Sequence, residues 1–383
     1  MALQAGGFQV IIVGRKNHDL KGDGQPISTT ADGAPYHVVD EYGPRSSPRW
    51  KQAWRYALGG GRLSSWLKAH AGGDAQAVIL YGGYSRYLMR LIPLTRKWGI
   101  PLVFDLAEWY QPSHCAGGRF GPQRWDVELT LRLLAPMAGN AIAISSFLER
   151  HFSERGLRVI RVPPLIDASD VKWRRQDKIE SSGRLSLGFI GNAGKKDLLT
   201  NAIRGLALIG MRADDVRLCI VGPSRSELAG SLGADASLLE KLAANLEFTG
   251  RLAHGDALRR LQQVDFSILL RPDLRYAHAG FPTKLVESLA MGVPVICNLT
   301  SDMGMYVRDQ MEGLILEDCS PEAFAAALSR ALRMSRDQRL VMGVRARQTA
   351  VESFDYRKWI EPLGAFLREV VATSSQRLQW QCA

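Results

Sequence analysis

The chain has 383 residues, 46% of them apolar and 23% charged, with 49 Lys+Arg against 38 Asp+Glu. That length is too great for one ordinary core and suits two domains of roughly 150–200 residues. The balance is that of a globular protein, and the longest apolar runs (Val10–Val13, Val293–Cys297) fall far short of the roughly 18–20 residues a membrane helix needs.

The basic excess is uneven. Residues 1–165 hold 20 Lys+Arg and 12 Asp+Glu, and the rest hold 29 and 26. A basic front half attracts an anionic membrane, phosphorylated substrates or nucleic acid. No compact Lys/Arg run with interleaved aromatics points to nucleic acid, so no nucleic-acid partner is expected. Cys115, Cys219, Cys297, Cys319 and Cys382 are scattered, with no CxxC or zinc spacing, and read as reduced thiols. The opening Met-Ala-Leu-Gln-Ala-Gly-Gly lacks a secretory pattern, which implies a cytoplasmic protein, or one peripheral on the inner face of the cell membrane.

In chain order, Met1–Ala5 with Gly6-Gly7 reads as a helix and its C-cap leading into a strand over Phe8–Val13. An α/β domain should open with a strand. The pattern therefore implies that a first strand and its glycine loop are missing, or else a fold that begins on a helix. Further strands are expected at Tyr36–Val39, Ala77–Leu80, Pro101–Phe104, Ala141–Ile144 and Arg158–Val162. Helices are expected at Gln52–His70, Ser85–Trp98 and Arg124–Ala138. Pro163–Gly183 breaks the rhythm and reads as an interdomain linker. Beyond it, strands are expected at Leu185–Ile190, Val216–Val221, Leu246–Thr249, Phe266–Leu269, Pro294–Cys297 and Gly313–Leu316. The intervening helices fall at Asp197–Met211, Ser237–Ala244, His254–Gln263, Thr283–Met291 and Pro321–Met334. Phe354–Val371 reads as an amphipathic helix broken near Pro362. Alternating strands and helices imply parallel sheets in two Rossmann-like domains, with ligands at the carboxyl ends of their strands.

The segment Gly280–Asn298 (GFPTKLVESLAMGVPVICN) carries the most chemistry. Gly280-Phe281-Pro282 is a turn, and Pro282-Thr283 suits a helix start. A helix N-terminus bearing Thr283 and Lys284 is an anion site. Glu287 lies one turn on and can accept from ribose hydroxyls. Phosphate grip and ribose acceptor at that spacing describe a nucleoside diphosphate, although an ordinary helix–strand unit fits the composition equally.

This segment resembles the signature of the family 4 glycosyltransferases, retaining enzymes of the GT-B fold. In that family two glutamates lie eight positions apart around a Gly-Phe turn, followed by Glu-Ala-Met-Ala-x-Gly-x-Pro-Val. The chain matches the second glutamate at Glu287, the Gly280-Phe281 turn and the run Ser288–Val295. It departs at the first, where Ala279 stands, with His278 as a candidate substitute. A second match lies at Leu187–Leu198 (LGFIGNAGKKDL), a strand end at Gly191 with a phosphate-binding loop. There Asn192 takes the place of the family's arginine, and Lys195 or Lys196 that of its lysine. Val221-Gly222-Pro223, Glu247–Leu252 with Arg251, and Phe266–Pro272 with Arg271 resemble the family's supporting loops; Arg271 is placed to contact phosphate, and a structural ion pair fits it equally.

In the front half, Pro101–His114 (PLVFDLAEWYQPSH) brings Asp105 and Glu108 to a strand end, where a carboxylate can orient or deprotonate an acceptor hydroxyl. Trp109 and Tyr110 suit either stacking on a sugar or packing, and His114 is a weaker candidate. Ala143-Ile144-Ser145 resembles a later turn of the family.

The resemblance implies a two-domain GT-B enzyme: 1–165 on the acceptor side, 166–353 binding nucleotide sugar, and 354–383 a helix returning to the first domain. It implies a UDP- or GDP-sugar donor, a glycan or lipid-linked acceptor, retention, no cofactor and no required metal. Lys196 would act beside the leaving diphosphate. Two other readings stay open, a non-catalytic GT-B-like nucleotide-binding subunit and a nucleotide-sugar epimerase.

Overall fold

The computed structural model describes residues 1–15, 26–29, 33–39, 59–71, 74–82, 85–115, 118–174, 184–192, 196–210 and 215–382. Lys195, residues 52–58 of the first long helix expected above, and residues 175–183 of the linker lie outside them. The chain separates into two compact units, Met1–Val162 with Tyr356–Ala383, and Pro163–Asp355.

In the first unit, β4 (Val78–Tyr81), β5 (Leu102–Leu106), β6 (Gly139–Ala143) and β7 (Arg158–Arg161) form a parallel sheet in that order. Val103 and Phe104 of β5 are fully buried, and Phe104 meets Phe152 edge-on at 6.2 Å. An inner parallel strand is covered on both faces, which is why β5 reads as an unbroken apolar run until Asp105. The register puts Asp105 beside Tyr81 of β4 and Ile142 of β6. Ser145 ends the β6 turn as a helix cap, its Oγ accepting the Leu148 N–H at 3.3 Å.

A second sheet holds β1 (Ile12–Arg15), β2 (Pro26–Thr29) and β3 (Pro35–Val39) in the order β1-β3-β2. Here the sequence reading needs correction. The strand expected over Phe8–Val13 begins four residues later, because Phe8 is still engaged in ending the short helix Ala2–Ala5. Gly7, at φ +86°, donates to Gln4 O and Phe8 donates to Leu3 O, a Schellman termination. β2 also runs antiparallel to β3, against the expectation of parallel pairing. The helix expected over Arg124–Ala138 is regular only across Pro122–Leu129. It continues as a π turn (Thr130–Leu134) and a 3₁₀ turn (Ala135–Ala138). Pro136 has no N–H to continue the α ladder. Pro362 does not break the last helix, Ile360–Cys382, since it sits in the first turn, where an N–H has no intrahelical partner.

The second unit is built on six parallel strands: β8 (Leu185–Ile190), β9 (Val216–Val221), β10 (Leu246–Gly250), β11 (Phe266–Leu269), β12 (Val295–Asn298) and β13 (Gly313–Leu316). Their order is β10-β9-β8-β11-β12-β13. The chain winds outward from β8 in one direction and from β11 in the other, so the crevice of a doubly wound sheet opens where β8 and β11 adjoin. Leu187, Phe189, Leu218, Ile220, Phe266 and Ile296 form the core of this sheet with the helices Leu199–Leu208 and Pro321–Arg333. The 19-residue helix Arg336–Phe354 has no counterpart in the sequence reading.

Candidate active site

β8 leaves the sheet at Gly191, beside the switch between β8 and β11. Space there is filled from two sides. A Cβ on Gly191 would strike the Lys284 ammonium, and one on Gly222, at the end of β9, would strike the Gly191 carbonyl. The glycines therefore bring two strand-end loops together and let a lysine lie against the backbone.

Lys284 comes from the start of helix Thr283–Ala290, whose first turn contains no acid. Pro282 is the residue before it, and Thr283 is exposed. Helix N-termini favour acids, so a lysine in that position leaves the positive end uncompensated, as an anion site requires. The Lys284 ammonium forms an ion pair with Asp197 across the mouth of the β8 loop and lies 5.4 Å from the centre of the Phe189 ring. In the sequence Asp197 marks only a helix start. The structure makes it the lysine's partner.

One turn along the same helix, Glu287 is bonded through Oε1 to His254 Nε2 at 2.9 Å. His254 opens helix His254–Gln262 and is exposed. It too carries no site signal in the sequence, where it marks only a helix start. The run Pro282–Glu287 thus places a cation and a carboxylate one turn apart, each held by a side chain from elsewhere in the unit.

The remaining donor-side candidates divide by burial. Asn192 is exposed and Lys196 half-buried. The Lys196 carbonyl accepts the Tyr276 hydroxyl at 3.1 Å, and burial pushes that phenol up to about 12. Arg271 is buried. Its backbone N–H donates to Asn298 Oδ1 at 2.9 Å, Asn298 Nδ2 returns a bond to its carbonyl at 2.8 Å, and its guanidinium donates to Ala277 O at 3.4 Å. These bonds fasten the loop between β11 and helix Arg275–Ala279. Arg251 is exposed and paired with Glu227 at 3.1 Å. Phe281 is buried against Tyr306 and Phe354, with ring centres 5.6 and 6.0 Å away, so it anchors the Gly280–Pro282 turn from beneath.

Ala279, where the family signature has a glutamate, is 0% exposed. The neighbouring His278 is engaged on both ring nitrogens. Ser301 N–H donates to Nδ1 at 3.4 Å, which leaves Nε2 to donate to Asp273.

The front-half candidates gather at the carboxyl end of β5. Burial pushes the Asp105 carboxyl up to about 7. The Tyr81 phenol beside it is raised by burial, then by the charges of Asp105 and Glu108. Trp109 is buried, donating from its indole to Glu128 Oε1 at 3.3 Å and meeting His151 edge-on at 4.6 Å, so it packs rather than faces a ligand. Tyr110 stays exposed, and His114 closes a 3₁₀ turn, half-buried. Among the described residues no group of three or more His, Cys, Asp or Glu could hold a metal ion. Burial pushes the Cys219 and Cys297 thiols up to about 11 and about 12, which disfavours the thiolate form of both.

Two family models match: one described as glycosyl transferases group 1 over residues 184–334, the other as a glycosyl transferase 4-like domain over residues 1–165. A glycosyltransferase of Methanocaldococcus jannaschii is 22% identical over 215 residues, 54% of this chain and 49% of the relative. The chain thus matches about half the length of that curated relative. Among solved structures, sucrose-phosphate synthase from Thermosynechococcus elongatus superposes with a TM-score of 0.72 at 16% identity, over 97% of this chain and 91% of that one. Anabaena HepE, solved with UDP and glucose, gives 0.63 at 14% identity over 88% and 87%. A Rickettsia africae glycosyltransferase gives 0.65 at 12% identity over 88% and 85%.

Proposed function

Because this chain belongs to the group 1 glycosyltransferases and has their GT-B fold, we propose that it moves a sugar from a nucleoside-diphosphate sugar to a glycan or lipid-linked acceptor, with retention. The observation that carries this reading is the Lys284 ammonium, set against Gly191 at the start of a helix whose next turn presents Glu287. A diphosphate entering there exchanges with Asp197 for the lysine, and Glu287 accepts from the ribose. As the glycosidic bond breaks, negative charge grows on the leaving diphosphate, and Lys284 with the helix end stabilises it in place. Lys196, on the same loop, is the second cation of this proposal. Asp105 or Glu108 orients the acceptor hydroxyl and takes up its proton. HepE, solved with UDP and glucose, supports a uridine donor over a guanosine one. The basic front half supports an acceptor at an anionic membrane.

Titration calorimetry with UDP, GDP and the matching monophosphates tests the grip. A diphosphate should bind at least roughly tenfold more tightly than its monophosphate, and equal affinities would sink the reading. Incubation with UDP-sugars then tests chemistry through release of UDP. A second reading, a nucleotide-binding subunit without transfer, is favoured by the buried Ala279 in place of a glutamate. Diphosphate binding with no donor turnover would select it.

A further inference from the structure

The first unit exposes a large apolar stripe along one run. Between Pro122 and Ala138 the inward residues are Val127, Leu131 and Ala135. The outward ones include Trp125 at 61% exposure, Leu129, Leu133 at 63% and Met137, and Phe120 just before the run is 83% exposed. Single apolar residues on a surface are ordinary. Four of them at four-residue spacing on one side of a helical run are an amphipathic face.

The charges around the stripe share one sign on the outside. Arg119 is exposed, and the Arg124 guanidinium lies 5.4 Å from the Trp125 ring. From the neighbouring helix Ser85–Trp98, Arg96 reaches the Met137 carbonyl at 3.3 Å, and Lys97 beside it is exposed. Both acids of the run are engaged within the unit. Asp126 Oδ1 accepts the Ser85 N–H at 2.9 Å, while Glu128 takes Trp109 at 3.3 Å and Arg132 at 2.6 Å. Apolar side chains centred in a cationic frame suit a helix lying in the plane of an anionic bilayer surface. Trp and Arg are the side chains that bridge hydrocarbon and headgroup.

We propose that the run Phe120–Met137 is an interfacial anchor that seats the first unit on an anionic lipid bilayer. Its use rests on the lipid-linked acceptor proposed above. Trp109, the residue after Glu108, is bonded to Glu128 of the anchor, so the acceptor-side strand end and the anchoring run are fastened together.

The test is co-sedimentation of the full chain with phosphatidylcholine vesicles, pure or with about one part in three phosphatidylglycerol, at physiological salt. The wild type should sediment with the anionic vesicles and much less with the neutral ones. Trp125→Ser with Leu133→Ser should weaken that partition at least roughly tenfold, and Trp125→Ser alone serves if the pair melts early. Arg96→Gln with Arg119→Gln should weaken binding only to anionic vesicles. Wild type that stays in solution overturns the anchor, and so does equal sedimentation of the serine variants. A dimer that the same substitutions dissolve, without vesicle binding, overturns it in favour of a second copy on the stripe. UDP affinity is read in the same samples. Vesicle binding lost with UDP affinity kept overturns the anchor alone, whereas vesicle binding without UDP affinity overturns the donor site alone.

Discussion

At the carboxyl end of β5, burial pushes the Asp105 carboxyl up to about 7. At the crevice between β8 and β11 the acids are matched instead, Asp197 to Lys284 and Glu287 to His254, with Glu227 to Arg251 further out. Similar strand-end geometry thus serves two electrostatic arrangements. A carboxyl that resists ionising near neutral pH is matched to taking a proton. A carboxylate that already holds a base keeps a site shaped until a more highly charged anion replaces it. Under the proposed function, the first unit supplies the group that takes the proton and the second the group that holds the diphosphate.

The largest test of that contrast is Asp105→Asn. Transfer should fall by roughly 10²–10⁴, while UDP affinity stays unchanged. Stability should move the other way. The folded carboxyl titrates at about 7 against an ordinary 3.8, so folding disfavours its ionised form. That penalty is absent below about pH 4, grows between about pH 4 and 7, and is fully present above. The variant should therefore be more stable than wild type near pH 8, by at most about 4 kcal/mol, and no more stable near pH 4. Urea unfolding at the two pH values reads this, and a variant no more stable at either would break the comparison.

Next in size is Lys284→Ala, which should lower turnover by roughly 10²–10³ and also destabilise, because Asp197 loses its ammonium. Adding Asp197→Asn should recover stability in a thermal melt without recovering turnover. Recovery of both would assign the lysine to structure alone. Glu287→Gln should weaken UDP roughly tenfold and leave pyrophosphate binding unchanged, since the partner proposed for it is the ribose. The smallest effect belongs to His254→Asn, about twofold on UDP, because the histidine is exposed and only orients Glu287. Calorimetry that ranks His254 above Glu287 would reverse their roles.

Much of the second unit was legible beforehand. Its six strands are apolar runs between turn residues, and each observed strand lies within one residue of the expected one. The helix Arg336–Phe354 left no such signal. Val341, Val344 and Val351 face outward while Met342, Ala346 and Ala350 face in, so its apolar residues form no stripe. In the site, Lys284 and Glu287 were visible because one helix turn sets their spacing. Their partners were not, since Asp197 lies 87 positions from Lys284 and His254 33 from Glu287, and periodicity carries no trace of such pairs. Arg271 and Phe281 sit in the expected motif but are buried under it, a difference set by depth rather than by residue type.

The meeting of Gly191 and Gly222 has a consequence for re-engineering. Position 222 combines φ +122° with a neighbouring carbonyl in the space a side chain would take, so a saturation library screened for folded protein should return glycine there. Asn192, one residue beyond Gly191, is exposed and should accept most substitutions. If the proposed donor site is right, diversity meant to alter donor choice belongs at 192 and 251, with 191 and 222 held fixed because their close approach leaves no room for a side chain.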